Sequence, residues 1–427
     1  MKKLLILFLS ISAFSSASEW TIFTKSNSTI PADRISAIVI DDNGNKWIAS
    51  DQGLIFFNDL NWTLYTQKDS LLSTSVTDLL IDRAESTLWV ATQNGVSVFD
   101  ISIPSSIRFI KNYSKETSNL VDNSVISLGL TKNTHWLGTK KGLSLMSGEK
   151  WETLTRYDWL PHNVIKAMAA QADGWNFIST EGGGVARIKY DDVDGISSAS
   201  PLVSAWSGIQ SDTVFCAFVA KDQSRWFGTA YGMASHFGDE SRINWTTYST
   251  VDGLINNYVL AITQDSSDAI WAGTANGVSR FKENLWQNWD NTTLPGDSVF
   301  DIASAQDGSL WFATNSGLAH YNNPTTAINT SSTANSNKNH EVFIYPNPFN
   351  AGTTISFDIR EAGNLNIYVY NIHGQLIKIL YKNNSTGSGS LFWDGKNDFG
   401  SIVPSGVYYI RFTTEKRQFY QKVILLK

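Results

Sequence analysis

Residues 88–96 read LWVATQNGV, and close variants recur along the chain: KWIASDQGL at 46–54, HWLGTKKGL at 135–143, RWFGTAYGM at 225–233, IWAGTANGV at 270–278 and LWFATNSGL at 310–318. A degenerate copy, NFISTEGGGV at 176–185, puts Phe177 in the tryptophan place and adds a glycine, which makes seven copies. The anchors Trp47, Trp89, Trp136, Phe177, Trp226, Trp271 and Trp311 are spaced by 42, 47, 41, 49, 45 and 40 residues. A period of about 40–50 residues built from strand-like segments predicts a β-propeller rather than a helical solenoid.

The second copy shows the four strands expected of each blade. SVTDLLID (75–82) is the innermost strand A, TLWVAT (87–92) strand B, GVSVFD (95–100) strand C and IRFIKNY (107–113) the outer strand D. Turns with Asp and Gly join A to B, as in DDNGNKW and QDGSLW. Gly53, Gly95, Gly142, Gly232, Gly277 and Gly317 stand where the B–C turn needs positive φ. Strand B ends in Gly or Ala followed by Thr or Ser, small enough for adjacent blades to approach. The seventh repeat loses its pattern after GLAHYNN, before any strand D. The segment EWTIFT (19–24) matches the outer strands NWTLYT (61–66) and NWTTYS (244–249). It is therefore expected to supply strand D of blade seven and close the ring, leaving no open edge there.

The fold class predicted is all-β: a seven-bladed β-propeller over residues 19–321, then a small Ig-like β-sandwich. The chain has 427 residues, net charge −6 and sixteen tryptophans. Aromatic abundance suits half-buried pleated surfaces, and the lack of a basic block argues against a nucleic-acid partner. At the N-terminus, MKKLLILFLSISAFSSASEW has two lysines, an apolar run and then small residues. It reads as a secretory signal peptide over 1–18, cleaved after Ala17 or Ser18. Neither that run nor any later one is long enough to span a bilayer, so a soluble monomer is expected. Cys216 is the lone cysteine and lies in the apolar stretch TVFCAFVA, where an inert buried thiol is expected. Residues 322–340, NNPTTAINTSSTANSNKNH, read as a flexible linker. Alternating strands restart at 341, with turn residues at short intervals.

The six W-[IVLFA]-[GA]-[TS]-x-x-G-[LVM] runs, with the degenerate Phe177 copy as a seventh, resemble the propeller repeats in the sensor regions of hybrid two-component regulators. Those regulators continue into a membrane helix and a kinase, which this sequence lacks, so signalling through its own chain is not expected. Residues 341–427 resemble the C-terminal sorting domain of the type IX secretion system. The matching residues are Tyr345, Pro346, Asn347, Pro348 and Phe349, then YNIHGQLI (370–377), Trp393-Asp394-Gly395, Gly406 and Tyr408 within SGVY, and the terminal KVILLK. The resemblance implies Sec export, passage across the outer membrane of a Bacteroidota-like bacterium and the type IX machinery as a partner.

No nucleophile elbow, zinc-type His/Cys spacing or phosphate loop is visible, so no catalytic residue, metal or cofactor is expected. The turn with Asp42, Gly44 and Trp47 resembles the Asp-box of sialidase propellers, which is structural even there. A sialidase also needs an arginine cluster at the strand heads, and only Arg34 stands at one. YDDVDGISS (190–198) lacks the regular calcium-loop pattern and reads as a long polar C–D loop in blade four.

Six tryptophans anchor strand B. Six more are assigned to outer strands: Trp20, Trp62, Trp151, Trp206, Trp245 and Trp286. Trp175 is placed beside a turn and Trp289 in or near an outer strand. Trp159, in RYDWLPHN, is then the tryptophan of the D–A loops, which share one propeller face with the B–C turns. His162, Glu181, Tyr231 and Tyr258 follow in ring order. An aromatic ring with nearby polar groups stacks on a sugar or grips a peptide; the alternative is that Trp159 packs the cleft between blades three and four. Asp78, Lys166 and Asp301 are read as one strand-A position in blades two, four and seven, lining a solvated channel. The function expected is a secreted or cell-surface, non-catalytic protein that binds an unknown extracellular ligand, a carbohydrate or a peptide. The alternatives are a propeller polysaccharide hydrolase or lyase, and a structural or adhesive surface protein. Carboxylates close together at the channel mouth would favour the enzyme, and an aromatic platform would favour binding.

Overall fold

The computed structural model describes residues 19–103, 107–192, 194–238, 245–322, 340–345, 349–359, 364–371, 375–385, 388–414 and 418–426. The segment read as a signal peptide lies outside them. Seven four-stranded antiparallel sheets form the first unit. Each runs outward from strand A: blade one is Ile35–Ile40, Lys46–Ser50, Leu54–Phe57 and Trp62–Tyr65, and blade two is Val76–Asp82, Thr87–Thr92, Gly95–Asp100 and Arg108–Tyr113. Strand A of each blade contacts strand A of the next, and that of blade seven (Val299–Ser304) contacts that of blade one. The ring is therefore closed. Its last sheet takes the strand Trp20–Phe23 on its outer edge, paired Trp20 to Tyr321 and Phe23 to Leu318.

Burial explains the repeat. Every residue of strand B is buried in blades one, two, three, five, six and seven, because both its faces pack against neighbouring blades. Trp89 stacks on Tyr113 of its own blade and on His135 of the next, with centroids 5.6 and 3.8 Å away. The glycine that ends strand B is required by close approach. A Cβ at Gly228 would stand 2.7 Å from Cγ1 of Val259, and one at Gly273 2.8 Å from Cγ1 of Val299.

In the A–B turn, the working carboxylate of blade one is Asp41, one residue before the Asp42 singled out in the sequence. Asp41 accepts the amides of Asn43 and Asn45, both at 2.9 Å, and the indole Nε1 of Trp47 at 3.2 Å. Asp265 repeats the arrangement with Ser267, Ala269 and Trp271. Asp42 turns outward to Arg83. The stretch at 190–198 is a tight hairpin rather than a long loop, since strand C runs to Asp191 and strand D spans Gly195–Leu202. As a result Trp206 falls beyond strand D, in the D–A loop, and not in an outer strand.

The second unit has two antiparallel sheets, one of His340–Tyr345, Thr353–Ile359 and Ser388–Trp393, the other of Leu376–Ser385, Asn364–Asn371, Gly406–Thr413 and Gln418–Leu425. They share one core around Trp393, Phe357, Ile410 and Phe412. Phe349 and Tyr408 pack on Trp393 with centroids 5.3 and 5.2 Å away, and the Tyr408 hydroxyl donates to the carbonyl of Pro404 at 2.7 Å. Two of the sorting-motif residues are thus core anchors. Gly406 has φ of 157° and opens its strand, and Tyr345 ends a strand paired to Thr354. Pro346, Asn347 and Pro348 lie outside the described residues.

Candidate functional site

Strand A carries a β-bulge near its start in all seven blades, between its first and third residues. The bulged residues Ser36, Thr77, Ile126, Lys166, Phe215, Leu260 and Phe300 all line an axial cavity of 310 Å³, together with Asp78 and Asp301. A bulge re-aims a side chain that regular pleating would point elsewhere. It also corrects the sequence alignment. Lys166 is the bulged residue of blade four, equivalent to Thr77 and Phe300, whereas Asp78 and Asp301 stand one residue further along. The registers fix this, because Ile165, Val76 and Val299 each pair with the last Thr of strand B.

The two aspartates join neighbouring blades. Asp78 accepts the amide of Leu128 in blade three at 2.7 Å and that of Leu79 at 2.8 Å. Asp301 accepts the amides of Ile38 in blade one at 2.9 Å and Ile302 at 2.8 Å. Burial, and then the charge of Asp301, push the Asp78 carboxyl up to about 7; burial pushes that of Asp301 up to about 6. Both line the cavity half-buried, with each carboxyl oxygen taking one backbone amide. Cys216 also lines the cavity, and burial pushes its thiol up to about 12, which keeps it protonated and unreactive.

Around the cavity mouth lies the face formed by D–A loops and B–C turns. Glu181 pairs with Lys166 at 3.2 Å. Lys166 stands 5.8 Å from the centroid of the Phe215 ring, which lies 4.6 Å from that of Tyr258. The rim thus brings Glu181 and Tyr258 into one chain of contacts through two residues that composition alone did not connect. Trp159 and Tyr231 stand on the same face but make no ring contact with that chain. His162 is occupied locally, its Nδ1 accepting the amide of Val164 at 3.1 Å.

Trp159 is 52% exposed, so it does not fill the cleft between blades. It has company: Tyr157, Trp206 and Tyr231 are 81%, 59% and 67% exposed, and Tyr258 is 43% exposed. Val251 adds an exposed aliphatic side chain. Every exposed large hydrophobic residue of this face lies between strand D of blade three and the head of blade six. Among the described residues, the D–A loops and B–C turns of the rest of the ring carry none. Tyr157 and Trp206 were missed in the sequence. A signal for Trp206 existed, since GISSASPL is itself long enough to be strand D.

Residues 343–426 match the secretion system C-terminal sorting domain. Residues 253–276 and 293–316 match the two component regulator propeller. The chain therefore carries regulator-type propeller repeats followed by a type IX sorting domain, and that domain implies export to the cell surface or beyond. No curated protein matches. Among solved structures, the extracellular domain of a hybrid two component system from B. thetaiotaomicron is 18% identical with a TM-score of 0.61, covering 95% of this chain and 57% of that one. PorZ, a surface component of the type-IX secretion system of Porphyromonas gingivalis, is 16% identical with a TM-score of 0.57, covering 93% and 60%. An inactive virginiamycin B lyase from Staphylococcus aureus is 15% identical with a TM-score of 0.55, covering 70% and 98%. At these identities the likeness is one of fold. Among the described residues no helix is long and apolar enough to cross a membrane.

Proposed function

We propose that this chain is a non-catalytic binding protein, secreted or held at the cell surface, that takes a carbohydrate or peptide on its D–A/B–C loop face over blades three to six, with Trp159 as the main anchor. The observation that carries the reading is the confinement of Tyr157, Trp159, Trp206, Tyr231 and Tyr258 to one arc of one face. Exposed aromatic rings cost free energy in water, and five gathered on one arc of one face mark an interaction site. Rings of this type stack on sugars and peptide groups with little loss of side-chain freedom. The export route rests on the sorting domain and uses the type IX machinery as partner.

A hydrolase or lyase reading has one observation in its favour: Asp78 and Asp301 share a cavity, and the charge of Asp301 helps raise the Asp78 carboxyl. Against it, each of their oxygens already accepts a backbone amide, and one oxygen of each carboxyl thereby ties its blade to the next. The experiment is a glycan and peptide array probed with the full chain, each hit then being incubated and analysed for cleavage. Saturable binding of an intact ligand supports the binding reading. Cleavage that Asp78→Asn abolishes replaces it with the enzyme.

A further inference from the structure

The axial cavity has two zones. Its collar, the ring of bulged residues, is apolar at Ile126, Phe215, Leu260 and Phe300. Ser36 and Thr77 are turned away to the next blade, donating to the carbonyls of Val76 and Val125 at 2.8 and 2.6 Å. One residue further along strand A, about 3 Å deeper by the rise of a strand, stand Asp78 and Asp301. Among the described residues lining the cavity, Lys166 is the only cation, and Glu181 holds it at 3.2 Å. The lining therefore keeps two carboxylates without a cationic partner. The collar's aromatic faces already receive cations: Arg34 lies 5.0 Å from the centroid of Phe300 and Lys166 5.8 Å from that of Phe215.

An apolar collar over an acidic floor matches an amphipathic chain, one whose methylene stem sits against hydrocarbon while its head carries charge. A neutral pyranose can stack on the collar's rings but brings no positive charge to the two carboxylates, and an amino sugar carries its charge on the ring rather than at the end of a stem. We propose that the axial cavity is a socket for a lysine or arginine side chain of a peptide ligand, its stem against Ile126, Phe215, Leu260 and Phe300 and its charged head against Asp78 and Asp301. This rests on the binding reading above and selects peptide over carbohydrate. Both carboxyls are raised by burial, to about 7 and about 6. A cation beside them draws both values down, so binding at neutral pH releases protons and strengthens as pH rises. Glu181 and Lys166 at the rim, Arg34 over the Phe300 ring and the Cys216 thiol in the wall are the other charged or titratable groups beside this space.

The test is calorimetric titration of the full chain with Nα-acetyl-arginine amide and Nα-acetyl-lysine amide, against uncharged Nα-acetyl-norleucine amide and against glucosamine. The charged amides are expected to bind about tenfold or more tighter than norleucine amide. Their heats should vary with the buffer's ionisation enthalpy, which reports proton release, and their affinity should rise several-fold from pH 5.5 to 8. Asp301→Asn, checked by thermal melting, should weaken them about tenfold. Proton release by the wild-type chain tests the socket whether or not that variant folds. Equal binding of norleucine amide, or binding without proton release, overturns the socket, and binding of glucosamine alone overturns the peptide assignment. These titrations use no residue of the aromatic arc, so failure of the arc and failure of the socket are separate results.

Discussion

At the scale of single residues, neighbours in sequence divide into those that hold the blade and those that meet solvent. Asp41 is buried and takes the Trp47 indole and two turn amides. Asp41→Ala should lower stability by about 2–3 kcal/mol, because buried donors lose their acceptor. Asp42→Ala, which breaks an exposed pair with Arg83, should cost under about 1 kcal/mol; urea denaturation of both variants checks the contrast. Asp78 and Asp301 set a pH dependence. Their folded-state values, about 7 and about 6, lie above the unfolded value of roughly 4. Their contribution is therefore fully present below pH 4 and is lost as pH rises through 6 and 7. Thermal melts of the wild type from pH 5 to 8.5 should show a fall, and Asp78→Asn should flatten it. An equally steep fall in the variant would show that other groups are responsible. The sequence made these carboxylates visible as polar residues in an apolar strand. It did not show that each accepts an amide across a blade seam, because hydrogen-bond partners about 50 and 260 residues away leave no local pattern.

At the scale of strands, the seven-fold pattern was legible because it follows from burial: strand B packs on both faces, so each copy repeats the same aromatic and small residues. Register was less legible. A bulge adds one residue that no alternation reveals, and the alignment that equated Lys166 with Asp78 slipped by one. The misplacement of Trp206 has a related cause, since strand D of blade four holds Ser and Ala where other blades carry an aromatic ring. Closure by the N-terminal strand was predicted from a six-residue match, and the pairing of Trp20–Phe23 with the strand Gly317–Tyr321 accords with it. Trp20 packs on Trp289, Phe312 and Tyr321, and Phe23 on Phe57, Trp62 and Trp311, so this strand ties blade seven to blades six and one. Deleting residues 19–25 should lower the melting temperature by about 10 °C or more, or leave an aggregating chain with an exposed sheet edge. An unchanged melt would exclude a closing role.

At the scale of the whole molecule, the two units have separate cores, one ringing the propeller axis and one around Trp393. Removing residues 341–427 should leave a folded propeller retained in the periplasm, and cell fractionation with circular dichroism measures both. Surface display of the truncated chain would contradict a sorting role for this domain. The loop face was the least legible part, because position on a ring is set by seven blades together, and two of its five aromatic residues were missed. The most direct measurement titrates an array-selected ligand into the wild type, Trp159→Ala, Trp206→Ala and Trp89→Ala, with thermal melts of each. The loop variants should bind about tenfold or more weakly and melt normally, since a stacked ring contributes on the order of 1 kcal/mol beyond its buried area. Trp89→Ala, which empties a site between blades, should lose about 3–5 kcal/mol of stability. Normal binding by both loop variants, or melting as low as that of Trp89→Ala, would contradict an aromatic binding face.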